Sequence, residues 1–171
     1  MDFKKYIGIT EGFPTEGISF KDMSPLLADK EAFLEATNEI AAVVKKWEPT
    51  IIIGPESRGF VVGAPVAYAV GAGFVMARKK GKLPGEVVSK TYTLEYNSTV
   101  IELPKFSIKP GDRVAIVDDL LATGGTIHAV KELVEEMGGK VVGVATLIEL
   151  TEFEAADTFG VPFVSLIKYV H

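Results

Sequence analysis

The chain has 171 residues, which is room for one ordinary domain, and its hydrophobic fraction of 47% with scattered charges excludes the disordered and fibrous classes. A net charge of -5 argues against general attraction to nucleic acid, and the absence of cysteine excludes disulfides, thiolate metal sites and a cysteine nucleophile. Because the N-terminal segment lacks the apolar core of a signal peptide and no apolar run reaches about 18 residues, we expect a cytoplasmic protein without membrane contact.

An amphipathic helix is predicted from Glu31 to Trp47, because apolar residues recur there every three or four positions. Asp29 is placed to cap its start, and Pro49 follows its end. The sequence TIIIG after it is short, β-branched and apolar on both faces, which is typical of a central parallel strand, and a segment of helical length follows. These features predict a first β-α unit.

The chain changes character after a further short apolar strand at 74–77. The sequence RKKGKLPGE is too polar and too rich in Gly and Pro for a core, so we expect a mobile loop there. Residues 88–96 and 99–103 are β-rich and flank Asn97-Ser98, so they are predicted to pair as a hairpin.

The last third predicts two more strands around a helix. A turn at 109–112 precedes the strand RVAIVD, a glycine-rich loop and a helix from about Thr126 to Met137. KVVGVATLIEL and FVSLIKY are predicted strands, separated by helix or loop at 151–160. Strands alternating with helices predict an α/β fold, whose ligand lies beyond the carboxyl ends of a parallel sheet. We expect one domain over 1–171.

The most informative motif is VAIVDDLLATGGT. Its apolar strand delivers Asp118 and Asp119 to the edge of the sheet, and the glycines after them let the backbone bend around an anion. Backbone N–H groups, threonine hydroxyls and the helix dipole favour a single phosphate, while the carboxylates suit sugar hydroxyls or hydrated Mg²⁺. The motif predicts a site for a phosphorylated sugar; the alternative is a tight turn whose acids cap the helix. The expected phosphate ligands are Ala122, Thr123, Gly124, Gly125 and Thr126.

Other motifs are absent from the sequence: there is no P-loop, no G-x-G-x-x-G and no G-x-S-x-G. The strand, acids and A-T-G-G-T loop resemble the signature with which type I phosphoribosyltransferases bind phosphoribosyl pyrophosphate (PRPP). Three further segments are similar to the adenine-specific members of that family. They are FPTEGISFKDMSPLL (13–27), GPESRGFVVGAPVA (54–67), and ARKKGKLPGEV with YTLEY (77–87 and 92–96).

The resemblance covers nearly the whole chain and implies the type I phosphoribosyltransferase fold. That fold has a central parallel sheet flanked by helices, a small N-terminal hood and a flexible β-hairpin lid. The hood would comprise approximately 1–30 plus the C-terminal segment, and the flexible loop approximately 79–104. The implied reaction is transfer of 5-phosphoribose from PRPP to N9 of adenine, giving AMP and pyrophosphate in purine salvage. The implied cofactor is Mg²⁺ carried by PRPP, and the implied assembly is a homodimer.

The resemblance also implies roles for individual residues. Asp118 and Asp119 would lie near the ribose and magnesium. Glu95, which the residues alone would place on the solvent face of a strand, would be the catalytic carboxylate of the lid. Cations would stabilise the charge that develops on pyrophosphate, and the implied set is Ser57, Arg58, Arg78, Lys79 and Lys82. The implied adenine site is Ser19, Phe20, Lys21 and Leu150.

Several of these residues have simpler interpretations. Arg58 could pair with Glu56 at the surface, the run 78–82 could be a solvated charge cluster, and Phe20 could belong to the core. Many family members have arginine where this chain has Lys21. Since lysine lacks the planar fork, side-chain stacking is less expected there than backbone recognition.

Two other functions match parts of the sequence. A transferase for 6-oxopurines would need the donor and acceptor pattern reversed at the base edge. A PRPP sensor that regulates transcription would need a DNA-binding segment and a basic face, which this length and charge do not provide. A scaffold role gives no reason for the acidic, glycine-rich loop. We therefore expect PRPP, adenine, AMP and pyrophosphate as ligands, and neither nucleic acid nor membrane as partners.

Overall fold

A seven-stranded sheet covered by helices forms the centre of the computed structural model, which describes residues 1–93 and 97–170. The strands are β1 (Gly8–Glu11), β2 (Ser19–Asp22), β3 (Ile51–Pro55), β4 (Gly73–Lys79), β5 (Val87–Thr93), β6 (Ser98–Pro104), β7 (Arg113–Leu121), β8 (Lys140–Leu150) and β9 (Phe163–Tyr169). The α-helices are α1 (Ser24–Ala28), α2 (Lys30–Lys45), α3 (Arg58–Val70) and α4 (Gly125–Glu136).

The main sheet has the strand order β5-β6-β4-β3-β7-β8-β9. Strands β4, β3, β7, β8 and β9 are parallel, and β6 is antiparallel to both of its neighbours. Strands β1 and β2 form a separate antiparallel pair. The predicted α/β fold with a parallel sheet is therefore confirmed.

Strand β7 shows why a central strand needs an unbroken apolar run. Val114, Ala115, Ile116 and Val117 are all fully buried. Ala115 and Val117 pack with α2 and α3 on one face of the sheet, whereas Val114 and Ile116 pack with α4 on the other. Because both faces are covered, polar residues can appear only where the strand reaches its carboxyl end.

Helix α2 confirms the predicted capping. The Asp29 carboxylate accepts hydrogen bonds from the N–H groups of Glu31 at 3.0 Å and Ala32 at 2.9 Å. These bonds satisfy two of the donors that a helix start leaves without partners. The helix ends at Lys45, two residues before the predicted end. Within the described chain, no helix combines the length and apolar character needed to cross a membrane.

The hairpin prediction is confirmed by the pairing of β5 with β6, which runs along the length of both strands. In the described residues, β6 also pairs with β4, at Arg78 and Lys79. The sequence had placed these two residues in a loop, but β4 continues through them because β6 supplies a partner. The segment 151–160, left open as helix or loop, contains two short 3-10 helices, Thr151–Phe153 and Ala155–Thr158.

Candidate active site

The predicted site residues lie where the parallel strands end. Strands β3 and β7 are neighbours, so the loops that follow them meet at one edge of the sheet. An ion pair of 3.0 Å between Arg58 Nε and Asp119 Oδ2 joins these two loops. The structure thus brings together Arg58 and the acidic pair, which are distant in sequence.

The glycine-rich loop connects β7 to the first turn of α4. Gly124 has a φ of +85°, and an added Cβ there would lie 3.2 Å from both Ala155 Cβ and the Phe159 ring. Helix α4 begins at Gly125, so its first N–H groups have no partner within the helix and point toward the loop. This backbone geometry suits an anion and needs no basic side chain to do so.

A cavity of about 160 Å³ lies against this loop. Its lining residues come from β5, the end of β7 and the start of α4, and are Tyr92, Asp118, Leu120, Leu121, Ala122, Thr123, Gly124, Gly125, Thr126 and Ile127. The structure therefore places all five predicted phosphate ligands around one space, with Asp118 beside them.

The two acids of the motif have different surroundings. Burial raises the pKa of the Asp118 carboxyl well above its usual range, and the charge of neighbouring Asp119 adds to this effect. The Asp119 N–H donates to Asp118 Oδ1 at 2.8 Å, whereas the Asp119 carboxylate is neutralised by Arg58. Asp118 is therefore the carboxyl that gains most from a hydroxyl donor or a cation.

Gly59 determines how closely α3 approaches Asp118. A Cβ at Gly59 would lie 2.8 Å from Asp118 Oδ1 and 3.0 Å from Pro55 Cδ. Both distances are shorter than ordinary contact, so any larger residue would displace the acid or the helix start. We had not predicted a role for Gly59 from the sequence; its place directly after Arg58 at a helix start was the available signal.

The predicted pyrophosphate residues lie at the ends of β3 and β4. Ser57 is exposed and directly precedes α3, while the Arg58 side chain is 49% exposed. Glu56 accepts from Arg78 Nε at 3.3 Å and from the Lys79 N–H at 2.7 Å. The alternative in which Arg58 pairs with Glu56 is therefore wrong, since Glu56 holds the end of β4 instead.

Lys82 lies just beyond β4, in the turn that leads toward β5. Its backbone N–H bonds to the carbonyl of Lys79 at 3.2 Å. The side chains of Lys79 and Lys82 are both exposed. These two ammonium groups therefore face solvent beside the end of β4, where Glu56 bonds to Arg78 and to the Lys79 N–H.

The predicted base site lies on the small β1-β2 sheet. The Phe20 ring packs edge-on against Phe13 at 5.2 Å, and the Arg58 guanidinium lies 5.3 Å from its centre. Phe20 is partly exposed and belongs to neither buried cluster, so the core interpretation is wrong. Leu150, at the end of β8, packs against the cluster that includes α2 and α3.

Lys21 links this small sheet to the C-terminal strand. Its ammonium donates to Ser19 Oγ at 2.7 Å and lies 4.8 Å from the centre of the Tyr169 ring. Ser19 Oγ in turn donates to Glu11 Oε1 at 2.8 Å. The Lys21 charge is therefore directed at Tyr169, a residue that we had not predicted from the sequence.

Strand β5 carries a residue that we had not predicted for the site. Glu95 lies outside the described residues. Tyr92, two residues after Lys90 on β5, has its hydroxyl 2.9 Å from Thr126 Oγ1 in the glycine-rich loop. Tyr92 and Thr126 are far apart in sequence, so this contact could be found only once the fold was known.

Comparison with known proteins identifies the family. Residues 25–168 match the phosphoribosyl transferase domain. The chain belongs to the phosphoribosyltransferase family. An adenine phosphoribosyltransferase from Lactobacillus delbrueckii subsp. bulgaricus is 55% identical over 170 residues, which are 99% of this chain and 97% of that relative. The family resemblance inferred from the motifs is confirmed.

Solved structures of adenine phosphoribosyltransferases share the fold over nearly their full length. The enzyme from Thermoanaerobacter pseudethanolicus has a TM-score of 0.94 and 44% identity, with 98% of each chain covered. The Saccharomyces cerevisiae enzyme, complexed with D-2,5-dideoxy-2,5-imino-altritol 1,6-bisphosphate and adenine, has a TM-score of 0.88 and 35% identity, with 96% of each chain covered. The predicted phosphoribosyltransferase fold is therefore confirmed.

Proposed function

We propose that this phosphoribosyltransferase acts on adenine: N9 of adenine displaces pyrophosphate from C1′ of PRPP, giving AMP in purine salvage. The observation that carries this proposal is the junction of the two strand ends, where Arg58 pairs with Asp119 beside the glycine-rich loop. At that junction the start of α4, which suits an anion, and the Arg58 guanidinium lie beside the two acids, which suit the hydroxyls of a ribose. Full-length relatives that are adenine phosphoribosyltransferases support the choice of base.

The 5′-phosphate would occupy the cavity at the start of α4. Its oxygens would accept from backbone N–H groups of Ala122 to Thr126 and from the Thr123 and Thr126 hydroxyls. Asp118, whose carboxyl has few compensating groups, would accept from the ribose hydroxyls. Asp119 would hold Arg58 in the direction of the departing group.

Pyrophosphate would lie at the start of α3. The Ser57 hydroxyl, the backbone N–H groups of Arg58 and Gly59 and the Arg58 guanidinium would be donors there. Asp119 lies 3.0 Å from Arg58 Nε, and the other guanidinium N–H groups of Arg58 would donate to phosphate oxygens. Arg78, Lys79 and Lys82 would add charge where the leaving group develops it, which lowers the barrier selectively.

Adenine would lie between the β1-β2 sheet and the end of β8. In the described residues, β2 pairs with β1 alone, so its second edge can present N–H and C=O groups to the base. Phe20 offers an aromatic face and Leu150 an apolar one, while Ser19 and Lys21 supply the flanking backbone. Because the Lys21 ammonium lies over the Tyr169 ring, Lys21 would contribute its backbone and not its side chain to recognition of the base.

Glu95 is proposed as the catalytic carboxylate. In sequence Glu95 falls within the loop over approximately 79–104, which would serve as the lid. A carboxylate there would stabilise the oxocarbenium-like centre and accept the N9 proton, while the lid excludes water that would hydrolyse PRPP. The hood, approximately 1–30 plus the C-terminal segment, would complete the single domain 1–171.

Magnesium suits this site as a partner of PRPP. In the described residues, no group of three or more acidic or histidine side chains could hold a metal by itself. Asp118 with Asp119 nevertheless offers two carboxylates beside the phosphate cavity. A hydrated Mg²⁺ held by one or two carboxylates and by substrate phosphates is the usual arrangement. When bound, it would neutralise charge on the leaving pyrophosphate.

A homodimer is the proposed assembly, in a cytoplasmic enzyme. Tyr68 on α3 is 92% exposed, and Leu34 on α2 is 63% exposed. Both line an apolar groove together with Phe33 and Pro65. A second copy of the chain would cover this groove beside the helix that carries Arg58. Sedimentation of Tyr68→Glu tests this: a monomer is expected, and an unchanged dimer would place the interface elsewhere.

A base-competition assay tests the function. Purified protein with Mg²⁺ and PRPP should convert adenine to AMP, in strong preference to hypoxanthine, guanine or xanthine. Preferential use of a 6-oxopurine would overturn the base assignment. If PRPP binds while every base is left unconsumed, the sensor interpretation replaces the enzyme.

A further inference from the structure

Strand β5 contributes a side chain, that of Tyr92, to the cavity proposed for the phosphate. The Tyr92 hydroxyl lies 2.9 Å from Thr126 Oγ1, at the first turn of α4. Tyr92 also lines the cavity of about 160 Å³, together with residues of the loop. The phosphate subsite therefore has a lining residue that comes from the hairpin.

The same strand is anchored farther along α4. Lys90 Nζ lies 2.6 Å from Glu136 Oε1 and 3.2 Å from Glu132 Oε2. Glu132 and Glu136 are one helical turn apart, so they share a face of α4. Lys90 and Tyr92 are two residues apart on a strand, so their side chains leave the same face of β5. The ion pairs therefore hold Tyr92 against the start of the helix.

The hydroxyls of Tyr92 and Thr126 can both donate hydrogen bonds to an anion. Each can donate or accept, and in this structure they bond to each other. A phosphate dianion only accepts, so on its arrival both hydroxyls can turn their protons toward it. The loop residues that line the cavity supply backbone N–H groups, and Tyr92 adds a side-chain hydroxyl from β5.

We propose that Tyr92 is a phosphate-binding residue, whose hydroxyl donates to the 5′-phosphate of the ribose together with Thr126, and that Lys90 positions it through Glu132 and Glu136. This inference rests on the proposed function, because it uses the same phosphate subsite. The Tyr92 ring packs against the buried cluster that includes α4. If the role of Tyr92 were only that packing, removing its hydroxyl would leave phosphate binding unaffected.

The test compares the affinity of two ligands by calorimetry. Ribose 5-phosphate carries the phosphate that would enter the cavity, whereas pyrophosphate carries only the leaving group. Tyr92→Phe keeps the ring and removes the hydroxyl, and should weaken ribose 5-phosphate binding about tenfold, with pyrophosphate binding unchanged. Tyr6→Phe, which removes the hydroxyl of a tyrosine packed against the cluster that includes α2 and α3, is the matched control and should bind both ligands like the wild type.

Lys90→Met tests the positioning role separately. It should weaken ribose 5-phosphate binding about threefold, as expected for a partly exposed ion pair. In steady-state kinetics, Tyr92→Phe should raise KM for PRPP and leave kcat nearly unchanged. Wild-type affinity of Tyr92→Phe for ribose 5-phosphate would overturn the inference. Equal weakening of both ligands, or a Tyr92→Phe protein that does not fold while Lys90→Met binds normally, would assign Tyr92 to structure.

The role of Tyr92 and the proposed function can fail independently, and the experiments distinguish the two failures. If the wild type makes AMP from adenine and Tyr92→Phe binds ribose 5-phosphate normally, only the role of Tyr92 is lost. If the wild type binds ribose 5-phosphate but consumes no adenine, the proposed function is lost and the comparison with Tyr92→Phe still decides the role of the hydroxyl.

Discussion

The two sides of the site are constructed differently. The loop between β7 and α4 presents backbone donors around a cavity, with a glycine in a left-handed conformation at the helix start. The ends of β3 and β4 present half-exposed cations, of which Arg58 and Arg78 are each paired with a carboxylate. The first side is fixed by local backbone geometry, whereas the second is held by ion pairs that a ligand can exchange. The difference matches the two ligands proposed for these sides, a phosphate that stays bound to the ribose and a pyrophosphate that departs.

The largest expected effect is at the ends of β3 and β4, where ion pairs hold the cations. Arg58→Gln should lower kcat/KM for PRPP about a hundredfold, because it removes a cation from the charge that develops on pyrophosphate. Initial rates with saturating adenine measure this. Lys105→Gln is the control, since Lys105 pairs only with exposed Glu86 at the surface among described residues. A loss of less than about threefold would show that Arg58 serves the fold alone.

Gly59→Ala tests whether the two sides depend on close packing between them. The new Cβ would meet Asp118 Oδ1 at 2.8 Å, so unfolding free energy should fall by about 1–3 kcal/mol and KM for PRPP should rise. Denaturant unfolding and initial rates check both. Gly8→Ala is the matched control, because a Cβ there would meet Asp22 Cβ at an ordinary 3.4 Å. Wild-type behaviour of Gly59→Ala would mean that α3 can shift without cost.

Asp118→Asn should stabilise the free protein while impairing PRPP use. Burial raises the pKa of the Asp118 carboxyl, so its contribution to stability is present below the usual carboxyl pKa and is lost as pH rises through the raised value. The variant should therefore melt a few degrees higher than the wild type in neutral buffer, and the gain should vanish in acid. Calorimetry in both buffers measures this, with exposed Asp157→Asn as control. An equal gain at both pH values would contradict the burial argument.

Glu56→Ala should have the smallest effect of the set. Without its carboxylate, Arg78 and the end of β4 lose an anchor, so KM for PRPP should rise about threefold with kcat nearly unchanged. Glu56→Gln should restore most of the affinity, because an amide oxygen still accepts from the Lys79 N–H. If Gln is no better than Ala, the charge matters more than the position.

The sequence predicted the parts of the molecule that depend on local patterns. The apolar run before Asp118 predicted β7, the spacing from Glu31 predicted α2 with its Asp29 cap, and the glycines after Leu121 predicted the loop that leads into α4. Each rests on periodicity or on backbone requirements that neighbouring residues display.

The parts that escaped prediction depend on tertiary pairing. Strand β1 is largely exposed and β2 is half-buried along its length, so neither shows an alternation of buried apolar and exposed polar residues. The contact between Arg58 and Asp119, and that between Tyr92 and Thr126, join segments whose proximity follows from strand order. The sequence showed that Arg58 was available as a cation, but its partner depended on which strands are neighbours.

The hairpin is attached to the rest of the sheet over a very short span. Strands β5 and β6 pair along their full length and form a stiff unit, yet within the described chain β6 joins β4 at Arg78 and Lys79. Arg78 and Lys79, two of the cations proposed to bind pyrophosphate, are therefore also the residues through which the hairpin joins the sheet. If the hairpin serves as the proposed lid, its position and the placing of these two cations would depend on the same two residues of β4.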